Sequence, residues 1–297
     1  MNGDSRRRAL RICLAAYAAA LLAAALTVRL ASPLLPPGAW VPRPLAAALL
    51  ADLAATAVVF GFSRAFDNSS MYDPYWSVAP PLLAVYWLGA YGGWSALTPR
   101  RAVVLLLVCL WALRLTWNCL ARWQGLNHED WRYAALRRRF GPWYWPVSLA
   151  GIHLFPTLIV FLACLSLHEL MRHGSAAGAP GALGALDGAA ILLTAGAVTI
   201  EAVSDRQLRR FRQRSAQAHA ILAEGLWRLC RHPNYLGEGL FWGGLYLFCL
   251  AASPGSWWAG VGPLAMTVMF AALSVPMMDR HLARSRGGPR SRGPAGP

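Results

Sequence analysis

Long apolar runs, separated by short stretches crowded with arginine, proline and glycine, dominate this chain. A helix of about 20 apolar residues spans the hydrocarbon core of a bilayer, and hydrocarbon offers no partners for open strand edges. The runs therefore predict an all-α polytopic transmembrane bundle of seven to eight spans. Eight are expected, at roughly 10–30, 45–62, 78–94, 102–120, 149–168, 184–203, 235–252 and 257–276. The third is the weakest. Pro80, Pro81, Gly89, Gly92 and Gly93 interrupt it, and it reads as tilted or partly re-entrant.

Arginine placement orients the bundle. With the N-terminus inside, Arg6, Arg7, Arg8 and Arg11, the loops around residues 122–139 and 206–231, and the tail all fall on one side. Only Arg29, Arg43, Arg100, Arg101 and Arg172 fall on the other, so both termini are expected in the cytoplasm. The start, three arginines before an apolar stretch, imitates a secretory signal, but the stretch is long enough to read as a first span. The Pro-rich segment 31–44 and the Gly- and Ala-rich segment 174–188 read as external connections. Three parts follow: a first span with its linker (1–44), the main bundle (45–280) and a basic, disordered tail (281–297). No internal repeat is found, which argues against a duplicated transporter.

Composition agrees with this. The chain is 57% hydrophobic with a mean hydropathy of +0.39. A net charge of +15 in a soluble protein would suggest nucleic acid, but here it comes from loop arginines, and no nucleic-acid partner is expected. All 28 basic residues are Arg, a pattern of codon bias. The six cysteines are scattered with no C-x-x-C pair, so neither a disulfide framework nor a metal site is expected.

Polar residues collect in clusters at the cytoplasmic side. One is Gly225 to Gly243, where Arg228, Arg231, His232, Pro233, Asn234 and Tyr235 lead into an apolar run carrying Glu238. Helix-start N–H groups beside two arginines suit an anion, and a carboxylate one turn into hydrocarbon is a functional candidate by default. The bland reading is an interfacial belt, which needs neither Glu238 nor Asn234. A second cluster places Trp111, Arg114 and Asn118 on one helix face, and the buried Arg114 charge asks for an anionic partner. A third is the stripe Glu201, Asp205, Leu208, Arg212, suited to ribose hydroxyls and a phosphate, or else a plain ion-pair ladder such as Asp205 with Arg209. Two further stretches are Asn68 to Ser77, with Asp73 ahead of Pro74, and Gly125 to Tyr133, which opens a short amphipathic helix. His128, Glu129 and Asp130 are consecutive and share no helix face, so they hold no metal by themselves.

Leu226-Trp-Arg-x-x-Arg231-His-Pro-Asn-Tyr-x-Gly-Glu238, preceded by Asp205-x-x-Leu-x-x-x-Arg212, resembles the steroid 5-alpha-reductase-like membrane family, closest to its bacterial branch described as a domain of unknown function. The likeness covers about residues 60–280. It implies a cavity open to the cytoplasm and the lipid, with NADPH beside a lipid-like enone. By resemblance, Asp205 and Arg212 meet the adenosine and phosphate end, with Glu201, Asn118, Arg231, His232 and Tyr235 also in the cofactor wall. Asn234 lies near the nicotinamide or diphosphate, and Glu238 orients that wall. Asp73, with Tyr72 beside it, matches the acid that polarises the substrate carbonyl, and Arg114 matches an Arg of a core helix. Trp111 stands where the steroid enzymes carry a Tyr proton donor, and Glu201 where they carry an amide.

The leading expectation is an NADPH-dependent reductase of a sterol-like or isoprenoid enone, embedded in the cytoplasmic membrane with its active site facing the cytoplasm. The second is a membrane methyltransferase of the isoprenylcysteine type, which shares the Arg-His-Pro-x-Tyr-x-Gly stretch and uses S-adenosylmethionine. A third, kept open by Trp111, is a non-catalytic protein that binds lipid or nucleotide.

Overall fold

Side-chain caps at Asn68, Thr98 and Asp130 and first-turn prolines at Pro44 and Pro233 set several of the helix starts. The computed structural model describes residues 3–36, 41–173, 183–214 and 222–286, and every regular element among them is helical. The connections 37–40, 174–182 and 215–221, and the tail from 287, lie outside the described residues.

α1 (Gly3–Ala31) precedes α2 (Arg43–Ala65), whose first turn holds Pro44, where a missing N–H costs nothing. A 3-10 turn, Ser69–Tyr72, is capped by Asn68 and leads to α3 (Tyr75–Ala90) and then α4 (Pro99–Arg122), capped by Thr98. α5 (Trp131–Phe140) starts at Asp130, whose carboxylate accepts from the Arg132 N–H. α6 (Tyr144–Ser148), a π-helical stretch (Leu149–Leu154), α7 (Phe155–Ala163) and α8 (Leu165–His173) run nearly end to end. α9 (Ala185–Arg214), the single turn α10 (Leu226–Leu229) and α11 (Pro233–Ala252) follow. A 3-10 segment (Pro254–Gly260), α12 (Val261–Met269), a second π-helical stretch (Phe270–Ser274) and α13 (Val275–Arg286) complete the described chain.

Among the described residues, seven helical stretches are long and apolar enough to cross a membrane: α1, α2, α4, the 43-residue run from Trp131 to His173, α9, α11, and the run from Pro254 to Arg280. The chain is an integral membrane protein. The third of the eight expected spans is where the structure differs. α3 continues straight through Pro80 and Pro81 but holds only 16 residues. Its rise, about 24 Å, falls short of the roughly 30 Å hydrocarbon layer. Gly92, with φ +119, turns the chain directly after it.

α4 and α9 run parallel and are tied at both ends. Near their starts, Arg100 forks onto Asp187, Nε to Oδ1 at 2.6 Å and Nη2 to Oδ2 at 2.7 Å. Towards their far ends, Arg114 bonds Asp205 at 2.8 Å. Close to the first tie, the buried Arg101 donates to the carbonyls of Ala96 and Met171, and Glu169 accepts from Ser256 at 2.8 Å and contacts His168 and His173. Between the two ties lies an apolar core in which Trp87, Trp111, Phe241, Trp242 and Phe248 are fully buried.

α9 also packs along α11, over a seam made by small residues. Gly237 faces Glu201 and the Ala197 carbonyl, and Gly244 faces Thr194, whose Cβ and backbone N would lie 3.1 Å from an added methyl. Small residues at such a crossing let two backbones approach closely, which sets Glu201 and Glu238 side by side. Gly244→Ala is therefore expected to destabilise the bundle by about 1–3 kcal/mol. Gly243→Ala, where an added Cβ meets nothing within 4 Å, is expected to leave it unchanged. Thermal unfolding of the detergent-solubilised variants checks the pair.

Candidate functional site

Three helices meet at one guanidinium. Arg114 of α4 pairs with Glu201 and Asp205 of α9 and with Glu238 of α11, the last at 3.2 Å. All three carboxylates and Arg114 are largely or wholly buried. Trp111, one turn earlier on α4, donates its Nε1–H to Glu238 at 3.1 Å and stacks on Phe241 with ring centres 4.8 Å apart. One positive group faces three acids, so the cluster has a surplus of acceptors. It takes hydroxyl donors or a further cation more readily than an anion.

The surplus is balanced a turn further out. A cleft of about 160 Å³ opens between the ends of α4 and α9, lined by Asn118, Arg122, Asp205, Arg209 and Arg212. Asp205 belongs to both places, since it reaches Arg114 and also borders the cleft. The arrangement grades from three arginines at the mouth to acids inside. Of the residues expected from sequence, Arg114, Glu201, Asp205 and Glu238 lie together, and Asn118, Asp205 and Arg212 share the cleft. Asp205 takes Arg114, with Arg209 directed to the cleft.

The remaining expected residues of the Gly225 to Gly243 stretch divide. Asn234 keeps its side-chain oxygen buried, with no hydrogen-bond partner among the described residues. Arg231 and His232 turn to Asp279 of α13, at 3.7 and 3.1 Å, and Arg231 is 87% exposed. Tyr235 stacks between His232 and Phe270. Arg231 and His232 thus lean on the C-terminal helix, and Tyr235 on the π-helical stretch before it.

The two other stretches singled out in the sequence are stitched to each other. The Asn68 amide donates to the carbonyls of Leu126 and His128, Ser69 N–H to Glu129, and Asp130 N–H to Ser70. Tyr133 donates to Asp73 at 2.5 Å, and Arg132 stands 4.0 Å from the same carboxylate. Glu129 is held in turn by Arg137 and Tyr144. Burial pushes the Asp73 carboxyl up to about 6, against the pull of Arg132 and Tyr133. Tyr72, its neighbour in the chain, points elsewhere and bonds Thr157 at 2.7 Å.

Sequence reasoning passed over one group. Asp52, midway along α2 and 5% exposed, accepts the Tyr75 hydroxyl at 2.6 Å. No arginine pairs with it among the described residues. A carboxyl in the middle of an otherwise apolar span was the available signal.

Two outcomes follow. Arg114→Gln strands buried carboxylates and is expected to cost about 3–5 kcal/mol, with Arg114→Gln/Glu201→Gln recovering part of the loss in thermal unfolding. Asp73 has a folded-state pKa above its ordinary value, so the native state binds the extra proton between pH 4 and 6. Its contribution to stability is present at low pH and is lost as pH rises through about 6. The Tm of Asp73→Asn should accordingly gain on wild type across that window.

Comparison with known proteins places residues 59–291 under a family model described as protein of unknown function, DUF1295. The match runs past residue 280, where the likeness read from the sequence ends. An uncharacterized protein of Schizosaccharomyces pombe is 28% identical over 234 residues, covering 71% of this chain. The chain spans 66% of that relative's length. No solved structure matches significantly.

Proposed function

Since this chain belongs to the DUF1295 family of proteins of unknown function, we propose its activity from the site: an NADPH-dependent membrane reductase of a lipophilic enone, sterol-like or isoprenoid. The arginine-lined cleft that merges through Asp205 into a buried acidic cluster carries this reading. Arg122, Arg209 and Arg212 suit the phosphates of a dinucleotide, because guanidinium forks match phosphate oxygens. Asp205, which borders the cleft, offers an acceptor for a ribose hydroxyl, while Glu201 is buried against Arg114. The unpartnered Asn234 oxygen is an acceptor for a carboxamide N–H. The chemistry of these residues suits the phosphate and ribose end of NADPH, which when bound supplies the hydride for an alkene conjugated to a carbonyl. The cleft of about 160 Å³ holds a phosphate and ribose, not the whole dinucleotide. The arginine bias puts this end of the bundle in the cytoplasm.

The chain's own part is orientation and proton supply. Arg114 fixes the three acids as a positioning residue, and Trp111 spends its N–H on Glu238. We assign proton delivery to Tyr75, whose phenol is hydrogen-bonded to the Asp52 carboxylate among apolar side chains. Tyr75 gives its phenolic proton to the enolate that hydride addition leaves, Asp52 holds the hydroxyl in place as its acceptor, and the phenolate regains a proton from water between turnovers. Asp73, held by Tyr133, anchors the start of α5.

A second reading rests on the acid surplus. Three carboxylates beside the Trp111 and Phe241 rings also suit a sulfonium, as in S-adenosylmethionine-dependent methyl transfer. Thermal shift with NADPH, NADH and S-adenosylmethionine in parallel separates the readings. NADPH at about 100 times its Kd is expected to add roughly 2.7 kcal/mol. Arg209→Ala/Arg212→Ala is expected to weaken NADPH by tenfold or more. Tyr75→Phe should keep NADPH binding yet lower enone-dependent NADPH oxidation by about 10²–10⁴. Protection by S-adenosylmethionine alone would overturn the reductase in favour of the methyltransferase. NADPH binding without oxidation across a panel of enones would leave a binding protein.

A further inference from the structure

A second, larger hollow lies away from the Arg114 cluster. It is a groove of about 930 Å³ between α5 and the last helical run of the chain. Its apolar floor includes Leu136, Leu273, Pro276 and Met277, and its rim carries Arg138, Arg139 and Arg280. Leu273 is 52% exposed and Met277 is 40% exposed. Two neighbouring arginines show how cations in this region are otherwise used: Arg137 is spent on Glu129 and Asp67, and Arg132 on Asp130. For Arg138, Arg139 and Arg280, by contrast, no ion pair occurs among the described residues.

We propose that this groove is a binding site for a membrane phospholipid with an acidic head group, its phosphate at Arg138, Arg139 and Arg280 and an acyl chain along Leu273, Pro276 and Met277. Charge and polarity select the occupant. A soluble anion would leave the apolar floor wet, and a neutral lipid would leave three guanidinium groups without a counter-charge. The chain's own tail is a poor occupant because it is basic, with Arg284, Arg286, Arg290 and Arg292. Each arginine close to an anionic bilayer surface contributes about 1 kcal/mol, and basic hollows between spanning helices suit lipid head groups. The volume falls in the range of roughly 300–1,000 Å³ that encloses small ligands, enough for a head group and the upper part of a chain. The proposal does not depend on the cofactor assignment, since none of these residues lines the cleft between α4 and α9.

The test uses the full chain in a neutral detergent, titrated with phosphatidylglycerol, phosphatidylcholine or glycerol 3-phosphate, and reads Tm. Phosphatidylglycerol is expected to raise Tm saturably, with the other two giving little. Arg138→Gln/Arg139→Gln/Arg280→Gln is expected to need at least tenfold more phosphatidylglycerol for half the effect, whereas Arg29→Gln, on α1, should match wild type. Should the triple variant fail to fold, a phosphatidylglycerol carrying a photoreactive acyl chain is applied to wild type, with crosslinks expected at Leu273 to Met277. An unchanged response in the triple variant, equal stabilisation by phosphatidylcholine, equal stabilisation by glycerol 3-phosphate, or crosslinks confined to other helices would each overturn the proposal.

Discussion

A guanidinium inside a membrane protein has to be compensated where it stands, and Arg114 is compensated by acids from two other helices. That requirement orders much of the bundle. α4 must lie close enough to α9 and α11 for one side chain to touch both. α9 and α11 must lie close enough to each other for Glu201 and Glu238 to share it, and the glycine seam permits this. Trp111 completes the arrangement by giving Glu238 a second donor. Ionic contact and backbone proximity are thus one constraint: the acids come together because the helices can, and the helices stay together because the acids have a common partner.

Polar chemistry is layered across the structure. At one end Arg100, Arg101 and Glu169 tie α4, α8 and α9. Asp52 and Tyr75 sit among apolar side chains, and the stitched loops around Asn68 and Glu129 form a cover near the cleft-bearing end. Each layer joins segments far apart in sequence. Two loops that read as separate interfacial stretches become one surface because Asn68, Ser69 and Ser70 spend their hydrogen bonds on the other loop.

Helix placement was legible because spanning runs are long and bounded by proline, glycine and arginine. α3 misled, since its helix ends at Ala90 ahead of Gly92 and stays too short to cross, while Pro80 and Pro81 lie inside it without ending it. The partners of Arg114 were legible as residue types, through helical spacing in α9 and an isolated Glu238, but their meeting needed the glycine seam. Asp52 stood out as a lone acid in an apolar span, but its partner could not be read, because Tyr75 lies 23 positions away. The turn of Arg231 and His232 towards Asp279 was equally unreadable, because α13 carries no pattern that points back to α11.

The fork of Arg100 on Asp187 has a mechanical meaning. Two parallel rods fastened by a double-pronged link at their beginnings, and by the shared Arg114 further along, can part only as the arms of tweezers do. Widening at the arginine-lined mouth needs no sliding along the length of either rod and leaves the aromatic packing nearest the pin almost undisturbed. Any angular opening at the arginine-lined end has to stretch the Arg114 contacts before it disturbs the Arg100 fork.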